Sequence, residues 1–267
     1  MPKRQSLGPT SILVTITFIM MVTVNALANI LPIAGITTGA VSDSYPNLFA
    51  PAGITFTIWG LIYLLLALYT LYQLGLFRGK DDDKAEKELL KQVGNLFAFS
   101  SIINSIWIFC WHNRVIFLSF VLMLLILISL MAIYQLIRKA TLTKRQWLFI
   151  SLPFSVYFGW ITVATIANAT TLLVDLGWGG WAISEAGWTA TMLIIGTLIG
   201  MATAITAKDI PYAATLIWAF VGILIKHRSA DGFKGAYPMV LITVQLCLLA
   251  LAGTVVLIIF MKRKNVQ

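Results

Sequence analysis

Three apolar stretches of the chain carry aromatic and polar residues at helical spacing. In "SVYFGWITVATIAN", residues 155–168, Tyr157, Trp160, Ala164 and Asn168 recur at steps of three and four. On an α-helix such steps share one face, so the four side chains form a stripe. In "NSIWIFCW", Asn104, Trp107 and Trp111 fall at i, i+3 and i+7. In "PAGITFTIWGLIY", Phe56, Trp59 and Tyr63 share a face. The chemistry open to these residues is recognition: rings stack, while amides and indole N–H groups orient polar edges. Aromatics converging with a few hydrogen-bonding groups and no ions suit a flat, largely apolar ligand. The same pattern also describes ordinary helix packing, and spacing alone does not choose.

The elements that would position these stripes follow from composition. With 59% hydrophobic and 11% charged residues, the chain departs from the balance of a soluble domain and reads as an integral membrane protein. Apolar runs near the roughly 20 residues needed to span hydrocarbon occur at 10–33, 52–77, 93–112, 115–137, 147–172, 187–207, 209–226 and 238–261. The expected fold is therefore an all-α, polytopic transmembrane bundle of about eight spans. Two divisions are weak, at "WHNRV" and at "AKDIP", and a count of seven also satisfies the pattern. "MPKRQ" followed by an apolar run and "ALA" mimics a signal peptide, but the run continues through "NILPI", so a retained first span is expected.

Charge supplies an orientation. With the N-terminus inside, alternate loops collect every Lys and Arg except Arg114, Lys226, Arg228 and Lys234, as the positive-inside bias requires. Both termini are then cytoplasmic. The net charge of +9 is topological, with membrane lipid as the partner and no basic patch suggesting nucleic acid. The longest polar stretch, "RGKDDDKAEKELLKQ" at 78–92, reads as a solvated helix extension and lacks the ligand spacing of a calcium loop.

The span interiors carry no acidic or basic side chain, which argues against ion-coupled transport. His112 and His227 sit at span ends, where a solvated or headgroup position is the simple reading. Cys110 and Cys247 read as small buried apolar residues. Neither a P-loop, a metal-ligand cluster nor a nucleophile elbow is present, so catalytic and metal residues are expected to be none. Trp178, Trp181 and Trp188 in "GWGGWAISEAGW" read as interface anchors. Gly196, Gly200 and Ala204 form a small-residue face suited to close helix contact, within one chain or between two copies in a homo-oligomer.

These stripes give the chain a resemblance to the TspO/MBR family of tryptophan-rich sensory and translocator proteins. The resemblance rests on Tyr45, Leu48 and Pro51 followed by Trp59 and Tyr63, on Asn104 and Trp107, and on Tyr157, Trp160, Ala164 and Asn168. "YPNLFAPAGITFTIW" departs from the family pattern by being shorter and lacking a double proline, so the register of Phe56 stays open. The resemblance implies a five-helix core over 1–175, leaving three additional helices of unassigned role in 176–267. It further implies a ligand-binding site formed by Pro51, Phe56, Trp59, Tyr63, Asn104, Trp107, Tyr157, Trp160, Ala164 and Asn168. By the same resemblance the ligand is hydrophobic and tetrapyrrole-like, a porphyrin or haem-like molecule, with no cofactor required, and the role is that of sensor or translocator. The expected location is the cell membrane of a bacterium. A permease for a lipophilic solute is the alternative, and porphyrin degradation ranks below it because no acid, base or metal is positioned for chemistry.

Overall fold

The structure is a computed structural model that describes residues 8–31, 33–78 and 84–264. Lys3, Arg4 and Lys80 of the charge pattern, and the "MPKRQ" stretch, lie outside the described residues. Among the described residues there is no strand, and eight helices are long and apolar enough to cross a membrane. They are α1 (Pro9–Ile30), α2 (Ile58–Gln73), α3 (Lys84–His112), α4 (Ile116–Lys139), α5 (Lys144–Asp175), α6 (Glu185–Ala207), α7 (Ile210–Arg228) and α8 (Pro238–Lys264). Both weak divisions are real turns: Arg114 and Lys208 adopt left-handed backbone, with φ of 58° and 52°. The polar stretch from Lys84 onward is helical and continuous with α3.

Helix boundaries follow the local chemistry. Pro9 opens α1, where a missing N–H costs nothing. Thr143 and Gln146 form a reciprocal capping box at the start of α5. Ser184 caps α6 through the Gly187 N–H at 3.1 Å, and Asp209 caps α7 through the Tyr212 N–H at 3.1 Å. Within α5, Pro153 would clash with the carbonyl four residues back. The helix accommodates it with a π-turn over Trp147–Ser151 immediately before the regular stretch from Leu152.

Contacts divide the chain into two compact units, Met1–Thr37 with Trp59–Phe158, and Thr38–Ile58 with Gly159–Gln267. The division falls inside α5, between Phe158 and Gly159, whereas residue 175 is the end of that helix.

In the first unit α3 packs against α1 and α4. Gly94 makes this possible, because a Cβ there would meet Thr10 Cγ2 at 2.7 Å and Val14 Cγ2 at 3.1 Å and would press on the Gln73 amide. That amide donates to the Leu90 carbonyl at 2.9 Å, and Ser11 Oγ donates to the Gln73 carbonyl at 2.9 Å. Three helices are thereby held at one glycine. Arg78 closes the C-terminal end of α2 by donating to the Tyr72 and Gln73 carbonyls, each at 2.9 Å.

In the second unit α6, α7 and α8 pack together. The small-residue face of α6 is used inside the chain: a Cβ on Gly200 would overlap Leu216, and one on Gly196 would touch Ile166 at 3.1 Å and Phe220 at 3.5 Å. The segment before α2 lies along α7. Ala52 N–H donates to the Gly222 carbonyl at 3.0 Å, and Trp218 Nε1 donates to the Thr55 carbonyl at 2.9 Å. Gly222 is required there, since a Cβ would overlap the buried Thr55 side chain. Gly222→Ala should lower stability by about 1–3 kcal/mol through overpacking. Gly253→Ala, in a helix position with open space around it, should be neutral or raise stability by up to about 1 kcal/mol. Thermal unfolding of the two variants in detergent checks the contrast.

Candidate functional site

The ten residues of the expected site are shared between the two units. Trp59, Tyr63, Asn104, Trp107 and Tyr157 belong to the first, and Pro51, Phe56, Trp160, Ala164 and Asn168 to the second.

In the first unit the residues cluster. Trp59 stacks on Tyr63 at 5.4 Å between centroids and meets Tyr157 edge-on at 5.9 Å. Trp107 stacks on Trp111 at 5.6 Å, an offset geometry that aromatic quadrupoles favour. Asn104 is oriented by a residue of α1. Asn25 Nδ2 donates to the Asn104 Oδ1 at 2.8 Å and to the Met21 carbonyl at 2.9 Å, using both of its hydrogens. Asn104 therefore turns its own NH₂ the other way, beside the Tyr157 hydroxyl. Among the described residues, Asn104 Nδ2, Trp107 Nε1 and the Tyr157 hydroxyl are buried without a hydrogen-bond partner. Buried donors of this kind are costly to leave unmade. Asn104 and Tyr157 have only each other nearby, and the Trp107 N–H has no partner among the described residues; such groups fit a ligand that presents acceptor atoms.

In the second unit Phe56 meets Trp160 edge-on at 6.0 Å. Asn168 is buried, Ala164 is half-buried, and Pro51 lies in the segment tied along α7. Gly159, next to the stripe, would place a Cβ 2.9 Å from the Thr215 side chain and 3.0 Å from the Tyr212 carbonyl. The stripe of α5 thus sits on a helix that approaches α7 closely. Tyr212 is fully buried and its hydroxyl lies 3.2 Å from Thr162 Oγ1, so it is a packing residue.

The second unit also holds a cavity of about 390 Å³. None of the ten expected residues lines it. Its walls come from the Pro46–Phe49 loop, the end of α5, the 177–180 turn and the start of α6. Trp178 and Trp188, read from sequence as interface anchors, are in its wall. Their rings lie 4.8 Å apart, and Trp188 Nε1 donates to the Gly180 carbonyl at 2.7 Å. The density of glycine in "GWGGW" was the available signal, because Gly177 and Gly180 take φ of 62° and 74° to fold the turn over Trp188. Trp181 is 81% exposed and does not line the cavity.

The histidines correct the reading from sequence. Neither is solvated: His112 is 1% and His227 0% exposed. Each instead meets a loop carbonyl, His112 Nδ1 at 3.1 Å from the Ile33 oxygen and His227 Nε2 at 2.8 Å from the Leu48 oxygen. A carbonyl only accepts, so His227 carries its proton on Nε2. No sequence pattern announces these pairings, because the partners are backbone atoms of distant loops.

Among the described residues no three His, Cys, Asp or Glu side chains are grouped to hold a metal ion. Fold and buried stripes together define a multi-pass helical membrane protein. The chain belongs to the TSPO-like protein family, whose model matches residues 11–260, a range that enters all eight helices. No curated protein and no solved structure matches it with significance.

The Asn25–Asn104 pair generates a test. Asn104→Leu strands an Asn25 donor and should cost about 1–3 kcal/mol, whereas Asn25→Leu with Asn104→Leu together should cost less than the sum of the two single changes. Equilibrium unfolding of the four proteins of the cycle measures the coupling, expected at about 0.5–1.5 kcal/mol.

Proposed function

We propose that the protein binds a hydrophobic, acceptor-bearing ligand of the tetrapyrrole class within its membrane-spanning helices and acts as a sensor or translocator for it. The reading rests on family membership and on one observation above the rest: the buried polar groups of Asn104, Trp107 and Tyr157, whose hydrogen-bonding capacity is not filled among the described residues. A porphyrin offers flat faces for Trp59 and Tyr63 to stack against, and carboxylates or carbonyl oxygens for the donors. Trp160, Ala164 and Asn168 continue the stripe along α5 in the second unit and are proposed as ligand-binding residues on the family resemblance. Phe56 meets Trp160 of that stripe edge-on, and Pro51 is proposed as a site residue on the family resemblance.

Titration of the purified protein with protoporphyrin, followed by tryptophan quenching and the Soret shift, tests this reading. Saturable binding is expected, weakened about tenfold in Asn104→Leu, Trp160→Leu and Asn168→Leu variants that stay folded. Binding that fails to saturate, or that ignores all three changes, would mean that the stripes are packing surfaces.

The charge pattern supports cytoplasmic N- and C-termini, and the cell membrane of a bacterium is the location proposed with it. Reporter domains fused to either end should be active only when their function requires the cytoplasm, and activity of a periplasmic reporter at either end would reverse the assignment.

A further inference from the structure

The cavity of the second unit is independent of the cluster around Asn104, and its walls have a consistent character. Phe49, Trp178 and Trp188 supply aromatic surface, and Leu173, Val174 and Met192 supply aliphatic surface. Glu185 is the single charged residue among its lining residues, and it is exposed at the first position of α6. No lysine or arginine lines the cavity, although the chain as a whole carries a net charge of +9. Helix-dipole stabilisation accounts for an acid at the start of α6. It does not account for an aromatic hollow opening beside that acid and free of basic residues.

The walls are held in place before any ligand arrives. Asn47 closes the Pro46–Phe49 loop on itself, its Oδ1 accepting from the Phe49 N–H at 3.1 Å and its Nδ2 donating to the Tyr45 carbonyl at 2.9 Å. The buried imidazole of His227 donates to the Leu48 carbonyl from α7. Opposite, the indole of Trp188 is tied to the Gly180 carbonyl and packed against Trp178. The Asn47 side chain, the Leu48 carbonyl and the Trp188 indole N–H are thus committed to the protein, and ring faces and one carboxylate stand out among the groups that face the cavity. Indole faces attract cations through their quadrupole, more strongly where water is excluded. A carboxylate at the rim adds a charge partner.

We propose that this cavity is a second ligand site, selective for a bulky organic cation whose apolar body lies against Phe49, Trp178 and Trp188 and whose charge faces Glu185. The chemistry is shared by soluble quaternary or phosphonium cations and by the choline headgroup of a lipid.

Tetraphenylphosphonium and tetraphenylborate are nearly isosteric ions of opposite charge and separate shape from sign. Full-length protein in maltoside micelles is titrated with each, following tryptophan fluorescence. Saturable binding of the cation is expected, with the anion far weaker. Glu185→Gln, an exposed and nearly isosteric change, should weaken the cation about threefold to tenfold. Val174→Trp, which fills the mouth, should abolish binding, and Asn104→Leu should leave it unchanged. Competition by a phosphocholine lipid would assign the natural occupant to the membrane, and its failure to compete would assign it to a soluble cation; both support the site. Equal binding of cation and anion, indifference to both cavity variants, or loss in Asn104→Leu alone would overturn the proposal. Because the porphyrin titration reads a different cluster, failure of either result leaves the other intact.

Discussion

Hydrocarbon offers a polar side chain no water, so each hydroxyl, amide and indole N–H in these helices must find its partner inside the protein. Most do so locally. Thr17, Thr70, Ser105, Thr165, Thr197 and Thr254 each donate to the carbonyl four residues back, a bond that needs no second helix. Amides and phenols reach further from the backbone, and this separates the functional candidates from the rest. Asn25 spends both hydrogens on its own turn and on Asn104, and the demand passes along to Asn104 Nδ2 and the Tyr157 hydroxyl, which among the described residues have only each other nearby. The cluster is defined by a sum of donors and acceptors that does not close.

The second unit obeys the same constraint by another device. A buried irregular segment needs its backbone groups answered, and three in residues 48–55 are answered by α7. Leu48 accepts from His227, Ala52 donates to Gly222, and Thr55 accepts from Trp218. All three partners belong to α7, so a single helix holds the segment at three points along its length. A histidine, a glycine and a tryptophan that look unrelated in the sequence thus perform one task.

The sequence disclosed the spans because hydrophobic length is local, and it disclosed the turns at Arg114 and Lys208 because charge and proline interrupt the runs. The stripe on α5 was legible for the same reason: Tyr157, Trp160, Ala164 and Asn168 lie within one helix. What escaped was every feature made by two distant segments. The orientation of Asn104 depends on Asn25, 79 residues away. The burial of His227 depends on a carbonyl 179 residues away, and a backbone acceptor has no residue type to betray it. The cavity escaped because its tryptophans, at the ends of spans, match the ordinary anchor pattern until the glycine turn is seen to fold them inward.

The π-turn ahead of Pro153 has a consequence for azimuth. A helix advances by about 100° per residue, and a π-turn inserts one residue into that advance. Everything beyond Ser151, including Tyr157, Trp160 and Asn168, is therefore rotated by roughly a quarter turn relative to an uninterrupted helix starting at Thr143. The capping box fixes where α5 begins, and the wide turn fixes which way its stripe points. One residue of slack near the start of the helix thus sets the compass bearing of side chains about two to five turns beyond it.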